Sequence, residues 1–256
     1  MFTDSHTHLY LKEFDKDVAT VIKNAVDSGV NRFLLPNIDL NSIPKLLALC
    51  KDEKSNLFPM IGLHPCSVSK NFINDLDKIY SYFNADSFIA IGEIGIDLYW
   101  ENKFIIEQQE AFQIQLNWAR QHKLPIVIHS RNSFNEIYTI LKKKKNNDIT
   151  GVFHCFSGSY QQAKKIIEMG FYLGIGGVLT FKNSNLSEVI KKIDLKHLIL
   201  ETDSPYLAPS PMRGKRNEPK FLPIIAKQIA EIKNINIQEI AEITNQNIDD
   251  IFFKIK

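Results

Sequence analysis

The chain has 256 residues, of which 44% are hydrophobic and 23% charged, a balance typical of a folded globular enzyme. Its net charge of +2 is too small to indicate nucleic-acid binding by itself, because an electrostatic footprint needs clustered basic residues. The sequence shows no apolar run of membrane-spanning length, no signal-peptide pattern and no CxxC spacing among its three cysteines. It therefore predicts a cytoplasmic protein without a membrane span, disulfide framework or zinc finger.

Short apolar runs alternate with amphipathic stretches from one end of the chain to the other. The apolar runs predict strands, and the amphipathic stretches predict a helix after each strand and one more at the end. The predicted strands are Phe2–Ser5, Arg32–Leu35, Phe58–Gly62, Phe88–Gly92, Ile126–Ile128, Val152–Phe153, Phe171–Ile175 and Leu198–Leu200. The predicted helices are Asp15–Ser28, Ser42–Lys51, Asn71–Phe83, Phe104–Gln121, Phe134–Lys145, Tyr160–Met169, Leu186–Ile193, Pro219–Lys233 and Gln238–Phe253.

This alternation of strands and helices indicates a parallel sheet of the α/β class. Gly29 and Gly170 stand directly before predicted strands, where glycine commonly ends the preceding helix. No linker or composition shift divides the sequence, so we expect a single domain over residues 1–256. Periodicity alone is compatible with a (β/α)8 TIM barrel and with an open doubly wound sheet. The candidate site residues favour the barrel.

Ionisable residues follow the predicted strands at the end where a β/α barrel carries its active site. His6 and His8 are two residues apart on an extended segment, so both imidazoles face the same way and can chelate one ion. Burying several imidazoles and carboxylates without a cation would be costly, which favours a metal site. The candidate ligands are His6, His8, Glu93, which closes the fourth predicted strand, His129, His154 and Asp203.

This ligand set is too large for one tetrahedral shell, so it predicts two divalent cations that share a carboxylate. We assign His6, His8 and Asp203 to one ion, and His129 and His154 to the other, with Glu93 as the bridge. Cation pairs about 3.5–4 Å apart stabilise both the attacking and the leaving oxygen of phosphoryl displacement. The choice among Mg, Mn and Zn stays open, because histidine ligands favour zinc whereas availability can favour the other two.

Several motifs extend the pattern across nearly the whole chain. They are DSHTH at 4–8, GLHP at 62–65, GEIGID at 92–97, PIVIHSR at 125–131, HCFSG at 154–158, ETDSPYL at 201–207 and RGKRNEP at 213–219. Each motif alone is a modest signal, but together and in this order they are specific. The chain resembles the TatD family of metal-dependent deoxyribonucleases, within the amidohydrolase-like TIM barrels.

The resemblance implies the same metal ligands and the hydrolysis of DNA, often from the 3′ end, with divalent metal. None of the ligands is substituted in this sequence. We expect Glu93 and Asp203 to be the catalytic residues. Asp203 is the candidate to take or steer the proton of the attacking water. The expected substrate is DNA or another phosphodiester, and no obligate protein partner is inferred.

Substrate contacts are expected from His64 and three arginines. His64 either contacts substrate at the rim or caps a strand. Arg131, Arg213 and Arg216 lie in rim motifs, and a guanidinium binds phosphate through two hydrogen bonds whereas lysine is a flexible point charge. The alternative is that one or more of them forms a structural salt bridge. Aromatic residues in predicted rim loops could stack on bases, although such residues more commonly pack in cores: Tyr99, Trp100, Phe181 and Tyr206.

Two other functions stay open at this point. The first is hydrolysis of a C–N or ester bond, as in other amidohydrolases or an aminoacyl-tRNA deacylase. Glu93 fits this activity less well, because several amidohydrolases carry a modified lysine on the fourth strand. The second is a non-catalytic, metal-dependent binding protein. The presence of every expected metal ligand argues against this function.

Overall fold

The structure is a computed structural model that describes residues 1–51, 56–143 and 148–253. The predicted end of a helix at Lys145 and the last three residues of the predicted domain lie outside these ranges. The strands are β1 (Phe2–Asp4), β2 (Val30–Leu35), β3 (Leu57–Pro59), β4 (Ile91–Asp97), β5 (Ile126–Arg131), β6 (Gly151–Phe153), β7 (Phe171–Ile175) and β8 (Leu198–Leu200).

The strands form two hydrogen-bonded sheets, β1–β2–β3 and β4–β5–β6–β7–β8, in which all neighbours are parallel. Two bridges join the sheets into a closed ring. Thr7 pairs with Ser204 beyond β1 and β8, and Ile61 pairs with Ile91 between β3 and β4. The predicted (β/α)8 barrel is therefore confirmed. The open doubly wound alternative is wrong, because it would leave the first and last strands of the ring without partners.

The helices follow the strands in the predicted order, with ends that differ by a few residues. Within the described ranges, no helix is long and apolar enough to cross a membrane. Gly29 and Gly170 both have positive φ, at 88° and 81°, as expected for glycines that end helices. The α-helices are α1 (Val18–Asp27), α2 (Ile43–Cys50), α3 (Phe72–Tyr80), α4 (Ile105–His122), α5 (Phe134–Leu141), α6 (Tyr160–Glu168), α7 (Leu186–Lys192), α8 (Leu222–Lys233) and α9 (Ile237–Phe252).

The fourth strand differs most from the sequence-based prediction. It does not end before Glu93 but continues to Asp97, so Glu93 is an interior residue of β4. The pairing of β4 with β5 is irregular between Ile91 and Ile94, which is where Glu93 lies. Such irregularities commonly redirect a side chain beside an active site. The prediction failed because a charged residue was taken to end the apolar strand.

The lower interior of the barrel is filled by apolar side chains. Residues from six different strands or strand extensions meet in one cluster, which is possible only inside the closed ring. The C-terminal helix α9 closes this end by adding three residues to the cluster. We call the cluster the barrel floor; it consists of Leu34, Met60, Ala90, Val127, Val152, Ile199, Ile248, Ile251 and Phe252.

Candidate metal centre

The ionisable side chains occupy the next inward-facing positions along the same strands. His129 lies two residues beyond Val127 of the floor, and His154 lies two residues beyond Val152. Because side chains alternate between the two faces of a strand, both histidines point into the barrel above the floor. We call the resulting group the rim cluster; it consists of His6, His8, His64, Glu93, His129, His154 and Asp203.

Glu93 is the centre of the rim cluster, and its two carboxylate oxygens face different histidines. Oε2 lies 3.2 Å from Nε2 of His6 and 3.6 Å from Nε2 of His8. Oε1 lies 2.9 Å from Nδ1 of His129 and 2.8 Å from Nε2 of His154. Each oxygen of this carboxylate therefore contacts a different pair of imidazoles, which is the arrangement expected of a bridging ligand.

The first group also contains a second carboxylate. Oδ1 of Asp203 lies 3.5 Å from Nε2 of His8 and 3.9 Å from Nε2 of His6. The two Nε2 atoms are 3.3 Å apart. Two ligands at about 2.1 Å from one tetrahedral ion are separated by about 3.4 Å, so these donor atoms fit a single divalent cation. His6, Glu93 and His154 form a further group of donors that lie within 4.8 Å of one another.

Hydrogen bonds around the histidines decide which ring nitrogen is free to bind a cation. The Tyr10 hydroxyl donates its only proton to the Pro36 carbonyl at 2.7 Å, so its oxygen accepts from Nδ1 of His8 at 3.0 Å. In the neutral imidazole this leaves a lone pair on Nε2. Nε2 of His129 lies 2.8 Å from the Asp97 carboxylate, which accepts the N–H and leaves Nδ1 available. Such outer carboxylates and hydroxyls fix metal-binding histidines.

His154 has a comparable outer partner in Glu201. Its Nδ1 lies 3.5 Å from Oε1 of Glu201, on the ring side opposite Glu93. Glu201 fits there only because β7 carries Gly174 at this point. A Cβ on Gly174 would lie 2.2 Å from Oε2 of Glu201. The close approach thus requires glycine and makes room for a buried carboxylate inside the barrel.

His64 differs from the other histidines in that the ring nitrogen facing Glu93 carries the proton. The backbone N–H of Cys66 donates to its Nδ1 at 3.1 Å, and this contact caps the short helical turn Pro65–Ser67. In the neutral ring the proton is therefore on Nε2, which lies 3.2 Å from Oε1 of Glu93. Although His64, Glu93 and His129 are close enough to form a donor group, His64 presents an N–H rather than a lone pair. This favours contact with an anionic oxygen over binding to a cation.

The charges of the rim cluster support one another. Burial alone would raise the pKa of Glu93, but the surrounding imidazoles, His154 foremost, hold it well below its ordinary value. The pKa of Asp203 is also lowered, because its contacts with His8 and the other nearby histidines outweigh its burial. Both carboxylates are therefore ionised at neutral pH and are available as cation ligands or proton acceptors.

The three rim arginines have different surroundings. Arg216 donates from both terminal nitrogens to the Asp17 carboxylate, at 2.9 and 2.7 Å, and also to Glu218. For this residue the geometry favours the salt-bridge alternative over phosphate contact. Arg131 and Arg213 are exposed, and their guanidinium groups form no ion pair with any residue in the described ranges. Arg213 lies over the ring of Phe181, at 3.9 Å from its centroid.

The whole of this architecture corresponds to a known family. The model of the TatD-related DNase family matches residues 3–253. The chain belongs to the TatD family. The sequence-based recognition is confirmed, and the TatD assignment applies to nearly the entire length of the chain.

Its relatives include proteins named as metal-dependent hydrolases. YabD of Bacillus subtilis, an uncharacterized metal-dependent hydrolase, is 37% identical and covers 93% of this chain and 94% of its own. YcfH of Escherichia coli K12, also an uncharacterized metal-dependent hydrolase, is 31% identical, and the match covers 92% of this chain and 89% of YcfH. The crystal structure of YjjV, a TatD homolog from Escherichia coli K12, superposes with a TM-score of 0.92 at 28% identity. The superposition covers 99% of this chain and 98% of YjjV. The protein is thus a metal-dependent hydrolase of the TatD family.

Sequence reasoning overlooked the residues that orient the ligands. Asp97 ends the GEIGID motif and Glu201 begins the ETDSPYL motif, but neither is a predicted site residue. Tyr10 continues the two-residue spacing of His6 and His8, which was the signal that could have identified it. None of these residues stands out as a ligand, because each acts through the far nitrogen of a histidine.

Proposed function

We propose that this protein hydrolyses phosphodiester bonds with two divalent cations, and that it trims DNA from the 3′ end in the cytoplasm. The observation that carries the proposal is the position of Glu93 between two groups of imidazoles, one for each carboxylate oxygen. Its membership of the family of TatD-related DNases supports DNA as the substrate. When bound, a pair of divalent cations activates water and offsets the charge that develops on phosphate oxygens.

The first donor group would consist of His6, His8 and Asp203, and the second of His129 and His154, with Glu93 shared. Tyr10, Asp97 and Glu201 hold the histidines with their free nitrogens toward the centre. These outer contacts reduce the reorganisation that binding requires. A metal-resolved assay distinguishes among Mg, Mn and Zn.

Asp203 is the proposed proton acceptor. Its side chain is 13% exposed, so it borders the open mouth of the barrel rather than the sealed interior. Its backbone N–H donates to the His6 carbonyl at 2.9 Å, which fixes the carboxylate beside the first donor group. Because the carboxylate is ionised, it can accept a hydrogen bond from the attacking water and take its proton.

His64 and two arginines are the proposed phosphate contacts. The Nε2–H of His64 can donate to a non-bridging phosphate oxygen at the Glu93 end of the cluster. Arg131 and Arg213 present exposed guanidinium groups at the rim, with no ion-pair partner among the described residues, and these groups suit the phosphates beside the scissile one. Arg216 is omitted from this set because Asp17 and Glu218 already occupy it.

A metal-resolved nuclease assay tests the proposal. Protein stripped with a chelator is reloaded with Mg, Mn or Zn and given end-labelled single-stranded and double-stranded DNA and RNA. Bis(p-nitrophenyl) phosphate and panels of amides and esters are run beside them. We expect metal-dependent shortening of DNA from the 3′ end. Turnover of amides or esters without turnover of any phosphodiester would assign the protein to the alternative C–N or ester chemistry.

Circular single-stranded DNA tests the direction of attack. The barrel floor closes the cavity beneath the rim cluster, so a strand end enters more readily than the middle of a strand. We expect a circle to survive under conditions that degrade its linear form. Equal degradation of the two forms would show internal cutting and would leave only the phosphodiesterase part of the proposal.

A further inference from the structure

One part of the rim exposes aromatic side chains to an unusual degree. Tyr99 and Trp100, directly beyond β4, are 55% and 68% exposed. The protein has two tryptophans, and the other, Trp118, is 7% exposed and packs among aromatic rings of the outer layer. Aromatic side chains contribute most to stability when they are buried. An exposed pair of adjacent aromatic residues beside the rim cluster therefore indicates a binding surface.

A positive charge completes this surface. The guanidinium carbon of Arg131, at the end of β5, lies 4.5 Å from the ring centroid of Tyr99 and 5.4 Å from that of Trp100. The two rings are 4.7 Å apart and nearly perpendicular. In the described ranges the Arg131 side chain has no carboxylate partner, so its charge stays available to an anion. We call Tyr99, Trp100 and Arg131 the aromatic platform.

The platform is rigidly connected to the metal centre. Oδ1 of Asp97 accepts the backbone N–H groups of Tyr99 and Trp100, at 2.8 and 2.7 Å. The other oxygen of the same carboxylate holds His129 at 2.8 Å, and His129 in turn contacts Glu93. The buried side chain of Gln108 pins the loop further, accepting from Asp97 and donating to the Glu101 carbonyl. One imidazole therefore separates the loop from the centre of the site.

We infer that the aromatic platform binds an unpaired nucleobase of a single-stranded nucleic acid next to the scissile phosphodiester. Trp100 and Tyr99 offer stacking faces, and Arg131 binds the adjoining phosphate. The inference rests on the proposed phosphodiester hydrolysis and adds the form of the substrate. Bases inside a duplex are stacked on one another and present no free face, so the platform selects single strands and frayed ends. Every base has a π-face, so little sequence preference is expected.

Tryptophan fluorescence measures this contact directly. Metal-loaded protein is titrated with an oligodeoxythymidylate whose linkages are phosphorothioates that resist cleavage, and with the corresponding ribo-oligonucleotide. Stacking of a base on the exposed Trp100 quenches its emission, whereas the buried Trp118 is unaffected. Trp100→Phe should keep binding, as measured by anisotropy of a labelled strand, but lose the quenching. Unquenched emission of the wild-type protein at saturation with both oligonucleotides would overturn the inference.

A matched pair of substitutions separates stacking from simple burial. Trp100→Phe retains an aromatic face, whereas Trp100→Leu retains apolar area without one. We expect Trp100→Leu to raise the KM for a single strand about tenfold and Trp100→Phe to raise it far less, since stacking contributes about 1–3 kcal/mol per base. The control is Ile73→Ala, which removes another exposed apolar side chain, from α3 in the outer layer. Circular dichroism and thermal unfolding confirm that each variant is folded.

Abasic substrates locate the stacked base. A set of single strands carries one abasic nucleotide at successive positions from the 3′ end. In the wild type, one position should raise the KM about tenfold, and this penalty should vanish in Trp100→Leu. A KM and an abasic penalty unchanged in Trp100→Leu would refute the platform. Failure of the proposed function looks different, because the wild type would then not turn over bis(p-nitrophenyl) phosphate with any metal while the fluorescence titration still reports stacking.

Discussion

Val127 and His129 lie on the same strand and face the same barrel interior, about 7 Å apart, yet they belong to layers of opposite character. Around Val127, apolar side chains from several strands and from α9 fill the floor. Around His129, imidazoles and carboxylates are buried against one another. Burial of the first layer favours folding, whereas burial of the second costs desolvation free energy.

The difference shows that the barrel floor and the rim cluster have separate roles: the floor provides stability, and the rim cluster provides the groups for chemistry. The floor stabilises the barrel without any help from a ligand. The rim cluster buries imidazoles and carboxylates against one another, which costs desolvation free energy and directs their donor atoms to one place, so its arrangement serves binding at the expense of stability. Substitutions in the two layers should therefore change different measurements, even when the substituted residues are neighbours on one strand.

The largest effect is expected at the centre of the rim cluster. Glu93→Gln removes the negative charge that both imidazole groups face, so it should lose at least one cation and reduce kcat by about a thousandfold or more. The fold should persist, because the floor is untouched. Elemental analysis and circular dichroism measure these outcomes, with the exposed Glu242→Gln on α9 as the control. Unchanged metal content with near-normal turnover would contradict the two-cation arrangement.

A floor substitution should give the reverse pattern. Ile248 of α9 is fully buried in the floor, and Ile248→Ala should lower the free energy of unfolding by about 3 kcal/mol through lost contacts and a residual cavity. Metal content and kcat of the folded protein should remain at wild-type values. Denaturant unfolding and metal analysis, with the exposed Ile73→Ala as the control, test this. Loss of metal in Ile248→Ala would show that the two layers are coupled.

Asp203 sharpens the comparison within the rim cluster. Asn keeps an oxygen toward His8 but cannot take a proton, so Asp203→Asn should lower kcat about a hundredfold while KM changes little. Steady-state kinetics on bis(p-nitrophenyl) phosphate, with the metal content measured in parallel, provide the test. An effect confined to KM would assign Asp203 to positioning the substrate.

The smallest effects are expected from the two arginines of the 213–219 motif, and they should differ in kind. Arg213→Ala should raise the KM for DNA severalfold and reduce the slope of its salt dependence by about one, the effect of one lost phosphate contact. Arg216→Ala should instead lower the thermal unfolding midpoint, because it removes the pair with Asp17. Salt-dependent kinetics and calorimetry separate the two. A salt slope altered by Arg216→Ala but not by Arg213→Ala would reverse the assignment.

The sequence predicted the order of strands and helices because apolar periodicity reports which residues are buried. It also located the residues that the structure gathers in the rim cluster, since strand ends share one side of a barrel. It could not locate the extent of β4, where Glu93 is tolerated inside a strand only because imidazoles from other strands surround it. Nor could it show that Asp17 holds Arg216, a contact between residues 199 positions apart.

The first donor group of the rim cluster joins segments from opposite ends of the chain. His6 and His8 extend from the first strand and Asp203 from the last. These segments already meet where the backbone N–H and the hydroxyl of Ser5 both donate to the Leu200 carbonyl, across 195 residues. A cation held by these three side chains would cross-link the two ends of the chain, as a disulfide does in secreted proteins. The free cysteines take no part in it. Ligand exchange at such a cross-link is reversible, so a cation would add a removable link to a ring that backbone pairing already closes.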